Sequence, residues 1–160
     1  MALGGGVYSS GEYSIGLGTA AKATAANTIA LGSWARAETA NSIALGNYST
    51  TSDAVNTAGV SIGGVNYGFA GSSAKGTVSF GNGSTKRQLT NVAAGQLTAA
   101  STDAVNGSQL HATNLALESV NALATRTDGE LRNLSTQIKT GSAGVITQDA
   151  TTRDISVAAS

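Results

Sequence analysis

The first third of the sequence repeats itself every fourteen residues. The motif Asn-(Ser/Thr)-Ile-Ala-Leu-Gly occurs at residues 27–32 and 41–46, and related segments precede it at 13–18 and 1–4. Aligned on this period, three columns share a residue type: Met1, Ile15, Ile29 and Ile43; Leu3, Leu17, Leu31 and Leu45; Gly4, Gly18, Gly32 and Gly46. Such self-similarity is typical of a protein that stacks one structural unit on the next.

Each unit predicts one short β-strand with two faces. Ile43 and Leu45 point to one side of this strand, and Ser42 and Ala44 point to the other. We expect Ile and Leu to fill the interior and the following glycine to form a turn. Fourteen residues are too few for a helical repeat but suffice for two short strands and two turns. The period therefore predicts a narrow parallel β-roll with rungs about 4.8 Å apart.

Composition limits how stable such a roll can be alone. The chain has 160 residues, of which 21 are glycine and only 4% are aromatic. With one Ile and one Leu per rung, a monomer would bury little apolar surface, so we expect an obligate homo-oligomer. The chain contains no cysteine and no proline. In an oxidising exterior it would depend on assembly, not on disulfides, for rigidity.

Charge and hydropathy exclude several classes of function. The net charge is +0, and the longest basic cluster is Lys86 and Arg87, which excludes a nucleic-acid-binding stripe. No run of eighteen apolar residues predicts a transmembrane helix. Met1 stands in the column of the repeat isoleucines and not ahead of a signal region. We therefore expect the chain to be a fragment of a longer protein.

The fourteen-residue period fails beyond residue 50. Strand-like segments follow at 59–63 and 77–81 around a glycine-rich stretch, which predicts an insertion in the roll. Two further motifs then follow in order: Arg87-Gln88-Leu89-Thr90-Asn91-Val92-Ala93-Ala94-Gly95 and Thr102-Asp103-Ala104-Val105-Asn106-Gly107-Ser108-Gln109-Leu110. Together with the rungs, these motifs resemble the head and neck of trimeric autotransporter adhesins with a YadA-like head.

The resemblance implies a fold class and a location. Three identical chains would form an all-β trimeric head of left-handed parallel β-rolls, followed by a neck and an α-helical trimeric coiled coil. In this family the neck passes each chain across its neighbours and narrows the head to the width of the coil. The protein would lie on the bacterial surface, anchored in the outer membrane through a region absent from this fragment. One departure is Gly107-Ser108, where the family has an apolar and a small residue.

A helix after the neck is expected from the sequence itself. Thr102 or Asp103 can cap it, and Gly141 and Gly144 end it. Apolar residues recur every seven positions, as in a coiled coil: Leu110, Leu117, Ala124, Leu131 and Ile138.

Two alternating segments follow the helix. Val145–Gln148 and Ile155–Val157 flank a turn-like stretch and predict a β-hairpin that starts a small β-module. The expected domains are a head of repeats (1–56), an insertion with the last strands (57–81), a neck (82–109), a coiled-coil stalk (110–140) and the start of the β-module (141–160).

Two groups of candidate site residues follow from the resemblance. Extracellular-matrix contacts are expected at outward positions of the rungs: Asn27, Thr28, Ala30, Asn41, Ser42, Ala44 and Ser49. The same residues also have a structural interpretation, since Asn and Ser satisfy backbone groups between rungs. The neck residues expected to hold the trimer together are Arg87, Gln88, Leu89, Thr90, Asn91, Val92, Asp103, Ala104, Val105, Asn106 and Leu110.

Other polar and aromatic residues leave alternatives open. His111 is the sole histidine and has no nucleophile nearby, so we expect no enzyme, no cofactor and no metal. Asn114 and Asn121 could hold an anion in the coil or lie beside its core. Trp34 and Tyr48 share a column and form either a ligand-contact ladder or packing against a neighbouring chain.

The sequence supports two functions. The first is a non-enzymatic adhesin fragment, whose partners are two identical chains and host matrix proteins such as collagen, fibronectin or laminin. The second is a structural spacer that projects a more distal binding head.

Overall fold

The computed structural model describes residues 1–140 and 146–157. The chain divides into two units, Met1–Ala104 and Val105–Ser160. Within the described residues, the first unit holds all the parallel strands, and the second holds a long helix and a short hairpin. The predicted helix end at Gly141 and Gly144, and the predicted strand residue Val145, lie outside the described residues.

The repeats form short strands that alternate between two sheets. In chain order these strands are β1 (Ala2–Leu3), β2 (Tyr8–Ser9), β3 (Ile15–Leu17), β4 (Lys22–Ala23), β5 (Ile29–Leu31), β6 (Arg36–Ala37) and β7 (Ile43–Leu45). The later elements are β8 (Gly59–Ile62), β9 (Val65–Gly68), β10 (Val78–Ser79), α1 (Gly107–Thr140), β11 (Ile146–Gln148) and β12 (Ile155–Val157).

Both sheets of the roll are parallel and follow the fourteen-residue period. Strands β1, β3, β5, β7 and β10 form a five-stranded sheet, called here the first sheet. Strands β2, β4 and β6 form a three-stranded second sheet. Ile15 pairs with Ile29, which in turn pairs with Ile43. The predicted parallel β-roll is confirmed, because each residue lies directly over its repeat equivalent.

The fully buried interior of the roll consists of small side chains, against which the half-buried Val7 packs. Ala30 and Ala44, the central residues of β5 and β7, are fully buried, as are Ala23 and Ala37 from the second sheet. The buried set comprises Ser14, Gly16, Ala21, Ala23, Thr28, Ala30, Ala35, Ala37, Ser42, Ala44, Ser49 and Thr51.

The predicted orientation of the strands is wrong. Ile15 and Leu31 lie on the outer surface of the first sheet with 36% and 37% of their area exposed. Space between the two sheets is limited: Val7 packs against the interior opposite Gly16, and a Cβ added to Gly16 would lie 2.6 Å from Cγ1 of Val7. In so narrow a roll, close packing selects Ala, Ser, Thr and Gly for the inside and leaves Ile and Leu outside.

The glycine column turns the chain where rungs touch. Gly18 and Gly32 have φ angles of 124° and 127°, a conformation that L side chains rarely adopt. A Cβ on Gly18 would also lie 2.6 Å from the carbonyl carbon of Gly32. Both the backbone conformation and the close approach therefore require glycine, as the sequence predicted.

An antiparallel hairpin interrupts the roll after its fourth rung, in which β7 belongs to the first sheet and Thr50 bridges Arg36 of the second. Strands β8 and β9 pair so that Val60 faces Tyr67 and Ile62 faces Val65. The chain then rejoins the first sheet at β10, where Val78 pairs with Ile43. The segment inserted between β7 and β10 therefore accounts for the loss of the fourteen-residue period beyond residue 50.

The helix α1 begins later than the sequence predicted. Its cap is Asn106 and not Thr102 or Asp103, because the Asn106 side-chain oxygen lies 3.4 Å from the Gln109 amide. The side chain of Gln109 in turn accepts from the Asn106 amide at 3.2 Å, which completes a reciprocal capping arrangement. The helix continues through Gly129 to Thr140, which makes it about 51 Å long at 1.5 Å per residue.

The predicted hairpin after the helix is confirmed. Strands β11 and β12 are antiparallel, with Gln148 opposite Ile155. The Asp149 carboxylate accepts hydrogen bonds from the amides of Thr151 and Thr152 at 2.7 and 2.8 Å. This side chain therefore closes the turn by binding its own backbone.

Candidate functional site

Each of the first three rungs has two corners at which one residue adopts a left-handed backbone conformation, and the fourth has one such corner. The first corner, called the Asn corner, is formed by Tyr13, Asn27 and Asn41 with φ of 54°, 55° and 57°. The second, called the aromatic corner, is formed by Gly6, Ala20, Trp34 and Tyr48 with φ of 66°, 54°, 60° and 57°. Glycine and asparagine tolerate this conformation, whereas bulky residues adopt it at a cost.

The Asn corner keeps two of the predicted contact residues on the surface. Asn27 and Asn41 are exposed, and the Asn27 side-chain amide donates to the Asn41 side-chain oxygen at 3.1 Å. These two residues form a short amide ladder along the roll. Their outer edges remain accessible to a ligand.

The other five predicted contact residues do not lie on the surface. The expectation that they point outward is wrong, because all five are fully buried in the roll: Thr28, Ala30, Ser42, Ala44 and Ser49. The error follows from the strand orientation, since the positions that alternate with Ile and Leu are the interior ones. No ligand can reach these side chains while the roll is folded.

The buried hydroxyl groups serve the backbone. Thr28 Oγ1 donates to the Ala25 carbonyl at 2.7 Å, and Ser49 Oγ donates to the Leu45 carbonyl at 2.8 Å. A buried hydroxyl without a partner would cost about 1–3 kcal/mol, so these bonds make the polar interior tolerable. The structural interpretation of Ser and Thr in the rungs is therefore correct for these positions.

One signal in the sequence pointed to this interior. Ala21 and Ala23 recur as Ala35 and Ala37, so small residues form columns on both strands of a rung. Large residues in columns can lie on an outer face that meets another chain, whereas only small columns fit between two touching sheets.

The aromatic corner presents two stacked rings. The rings of Trp34 and Tyr48 lie 6.0 Å apart between centroids, with 6° between their planes. Both side chains are about half exposed, at 45% and 52%. The Tyr48 carbonyl accepts from the Asn82 side-chain amide at 2.9 Å, which fastens this corner to the chain beyond the roll.

The outer face of the second sheet is polar and basic. Lys22 pairs in register with Arg36, which places two cations on neighbouring rungs. Arg36 has one acidic neighbour, Glu38, at 3.7 Å, in a pair whose side chains are nearly half exposed. Such an exposed pair adds little stability. This face therefore differs in kind from the Ile and Leu face of the first sheet.

Arg87 binds the end of the roll. Its Nη2 donates to the Asn47 carbonyl at 2.7 Å, and its Nη1 donates to the Phe80 carbonyl at 2.5 Å and to Ser49 Oγ at 3.2 Å. All three acceptors belong to the last rungs. Arg87 was predicted from the sequence as a neck residue, but its contact with the roll was not predicted.

The remaining neck residues have varied positions. The Asp103 carboxylate accepts from the Gln96 amide at 3.0 Å, and Asn91 has a left-handed φ of 60°. Asn106 caps α1 as described above. Val92 is half-buried, and Leu110 lies exposed in the first turn of α1. The other exposed neck residues are Gln88, Leu89, Thr90, Ala104 and Val105.

The helix carries the remaining candidates on its surface. His111, Asn114 and Asn121 are all exposed on α1. Within residues 1–140 and 146–157, no helix combines the length and the apolar character needed to cross a membrane.

Sequence comparison identifies both halves of this architecture. The YadA head domain repeat matches twice, at residues 9–33 and 23–49. The coiled stalk of trimeric autotransporter adhesin matches residues 88–143. These matches together cover more than half of the 160 residues.

A curated relative shares part of this segment. Autotransporter adhesin BtaE of Brucella suis biovar 1 (strain 1330) is 51% identical over 80 residues, which are 50% of this chain and 11% of that protein. The chain therefore spans about a tenth of the length of this relative.

Two solved structures are similar. The C-terminal YadA-like domain of BPSL2063 from Burkholderia pseudomallei has a TM-score of 0.63 and 35% identity, covering 79% of this chain and 54% of that one. The collagen-binding domain of the Yersinia adhesin YadA has a TM-score of 0.46 and 31% identity, covering 64% of this chain and 45% of that one.

The rungs, the neck and the helix thus occur in one order and match one family in two separate regions. The chain belongs to the trimeric autotransporter adhesins, of which it is a segment with YadA-like head repeats followed by a coiled stalk.

Proposed function

We propose that this segment belongs to a homotrimeric, non-enzymatic adhesin whose head attaches a bacterium to host extracellular matrix. Triple-helical collagen is the first ligand to test, followed by fibronectin and laminin. The observation that carries the proposal is that the roll has two unlike outer faces. One is aliphatic and suits contact between copies, and the other is polar and suits contact with a ligand.

The aliphatic face supports assembly from identical chains. Leu3, Ile15, Leu31 and Val78 lie along the first sheet, and each exposes more than a third of its area in the single chain. A contiguous apolar surface of this kind marks an interface. Two further copies would cover it, because the same face on three chains can close around a threefold axis.

The helix supports the same assembly. No residue of α1 is buried in the single chain, and Leu117 and Leu131 expose 65% and 62% of their area. These residues occupy one position of the predicted heptad, whose apolar seam needs partner helices. A trimeric coiled coil would bury the seam that the isolated helix leaves in water.

The polar surface is the proposed ligand side. It comprises the Asn corner, the aromatic corner at Trp34 and Tyr48, and the second-sheet face with Lys22 and Arg36. The rungs resemble those of the family's collagen-binding heads in their Asn-Ser-apolar-Ala-apolar-Gly-x-x-Ser pattern. Three copies on one rigid trimer would raise a weak contact to a useful avidity.

The parent protein would be displayed on the bacterial surface through an outer-membrane anchor. BtaE, the curated relative, is described as an autotransporter adhesin, and this description supports the same location. A surface adhesin must hold its head away from the cell, and a helix about 51 Å long contributes to that distance.

A spacer that projects a more distal head is the second candidate. It is favoured by the burial of five of the seven predicted contact residues. It is also favoured by the small share of BtaE, 11%, that this chain spans.

A binding assay separates the two candidates. The purified 160-residue protein is passed over immobilised triple-helical collagen, fibronectin and laminin. Adhesion predicts saturable binding that weakens at least about tenfold in Asn27→Ala/Asn41→Ala or in Trp34→Ala/Tyr48→Ala. The matched control is Asn114→Ala/Asn121→Ala, which makes the same change on the helix and should bind as the wild type. Absence of binding to all three proteins would favour the spacer.

The oligomeric state tests the assembly itself. Leu17→Asp/Leu31→Asp places charges on the aliphatic face and should yield monomers in sedimentation equilibrium. Lys22→Asp/Arg36→Asp changes the opposite face and should leave the trimer intact. A trimer that persists in the first variant would contradict the proposed interface.

A further inference from the structure

The sequence pattern of the roll continues further than the roll itself. Residues 78–83 read Val-Ser-Phe-Gly-Asn-Gly, which follows the pattern of Ile-Ala-Leu-Gly-Asn-Tyr at 43–48. The strand β10 obeys this pattern, since Val78 and Ser79 pair in register with Ile43 and Ala44. By continuation, Gly81 would stack on Gly46 as Gly46 stacks on Gly32.

Gly81 does not take that place. The stacked glycines Gly18, Gly32 and Gly46 have φ of 124°, 127° and 111°, whereas Gly81 is not among the described glycines with positive φ. Its carbonyl instead accepts from the Thr50 amide at 2.8 Å. The roll therefore stops one strand into its last rung, although the sequence pattern runs on.

The guanidinium of Arg87 lies against Gly46, at the position where the peptide group of a further rung would lie. A Cβ built on Gly32 meets the carbonyl carbon of Gly46 at 2.6 Å and the Asn47 nitrogen at 2.8 Å, the peptide group of the next rung. A Cβ built on Gly46 meets Cζ, Nη1 and Nε of Arg87 at 3.2, 3.3 and 3.4 Å. Both groups are flat and have a trigonal carbon, so one can stack in place of the other.

Arg87 also takes the place of a backbone hydrogen-bond donor. In the rungs that precede β7, the carbonyls of Thr19 and Ser33 accept from the amides of Trp34 and Tyr48 at 2.8 and 3.0 Å. The equivalent carbonyl in the rung of β7, that of Asn47, accepts from Arg87 Nη2 at 2.7 Å.

A second carbonyl column ends in the same way. The carbonyls of Leu17 and Leu31 accept from the amides of Gly32 and Gly46 at 2.8 and 2.7 Å. The carbonyl of Leu45 accepts from Ser49 Oγ at 2.8 Å. Side chains thus donate to the carbonyls of Leu45 and Asn47, which no backbone amide of a further rung reaches. Arg87 is the donor that comes from beyond the roll.

We propose that Arg87 terminates the β-roll by substituting its guanidinium for the peptide group of a further rung. This contact holds the chain in the register that ends the stack and releases residue 88 onward from it. Lysine cannot replace it, because an ammonium group has neither the plane that stacks on Gly46 nor the fork that reaches two carbonyls.

Hydrogen exchange on the full 160-residue protein tests the proposal. In Arg87→Ala and Arg87→Lys, the amides of Gly46, Tyr48 and Thr50 should exchange at least about tenfold faster, because an uncapped end rung opens locally. The amides of the first rungs, at 15–24, should keep their rates. The matched control is Lys86→Ala, whose ammonium group donates to the carbonyls of Asn82 and Gly83 in the adjacent turn.

Chemical rescue separates a planar group from a positive charge. Millimolar methylguanidinium should slow exchange in Arg87→Ala towards the wild-type rate, whereas methylammonium should not. Wild-type exchange rates in Arg87→Lys, or equal rescue by the two cations, would overturn the proposal.

Side-chain NMR of the wild type decides the matter if both variants fail to fold. The Nη protons of Arg87 should exchange more slowly than those of Arg126, which is exposed on α1 in a solvent-accessible pair with Glu130. Equal exchange at the two arginines would exclude a stacked and hydrogen-bonded guanidinium.

Discussion

The indole of Trp34 lies parallel to the phenol ring of Tyr48, with 6.0 Å between ring centroids and 6° between planes. The two residues sit at the same corner of successive rungs, and each holds a left-handed backbone conformation that bulky residues rarely adopt. The stack is a product of the fourteen-residue period, which places equivalent corners one above the other.

Substitution at this corner should separate backbone strain from stacking. We expect Trp34→Asn to be more stable than Trp34→Ala by about 1 kcal/mol, because Asn visits the left-handed region readily and Ala does not. Thermal unfolding followed by circular dichroism measures the difference. Asn27 and Asn41 already occupy this conformation at the other corner. Equal stability of the two variants would show that the corner relaxes without strain.

Two methyl groups added to the buried interior should destabilise the roll. We expect Ala44→Val to lower the free energy of unfolding by about 1–3 kcal/mol, because Ala44 is fully buried between the sheets. Ala40→Val makes the same change at an exposed position and should stay within about 0.5 kcal/mol of wild type. Chemical denaturation of both variants checks this. An unchanged midpoint for Ala44→Val would mean that the roll can widen.

The helix start should depend on the cap that the structure shows. Asn106→Ala should destabilise α1 by about 1 kcal/mol, because it removes the acceptor for the Gln109 amide. Thr102→Ala, at the position that the sequence favoured, should leave the helix unchanged. Exchange rates of the amides at 108–110 report on both. A larger effect at Thr102 than at Asn106 would contradict this assignment.

The turn of the terminal hairpin should respond to acid. Backbone hydrogen bonds from Thr152 and then Thr151 hold the pKa of Asp149 below its ordinary value of 3.8. The stabilisation is therefore fully present above pH 3.8 and is lost as the pH falls through the lower folded-state pKa. The amide signals of Thr151 and Thr152 in an NMR titration should move only in that acidic range.

Asp149→Asn provides the control for this titration. The amide oxygen can still accept from both backbone amides but carries no charge, so the two signals should not titrate. Movement of the same signals in the variant would assign the transition to another group.

Much of the fold follows from local patterns. The spacing of Ile15, Ile29 and Ile43 predicted the parallel register, and the glycine column predicted the turns. The start of α1 was misplaced, because Thr102, Asp103 and Asn106 are all competent caps. Only the reciprocal bond with Gln109 distinguishes Asn106.

The candidate site was predicted less well. Alternation along a strand shows which residues share a face but not which face is inside. Ile and Leu were expected inside because such residues usually form the core. The fully buried positions between the sheets are instead occupied by small residues such as Ala44 and Ser42. Ser42, Ala44 and Ser49 were therefore predicted as contacts and proved to be interior.

The sequence by itself determined the repeat and the order of roll, insertion, neck and helix, because these depend on period and local pattern. The tertiary structure alone decided which side of each strand is buried and where the stack ends. Both depend on distances between segments far apart in the chain: the gap between the two sheets, and the reach of Arg87 to Gly46 and Asn47. No local pattern encodes such distances.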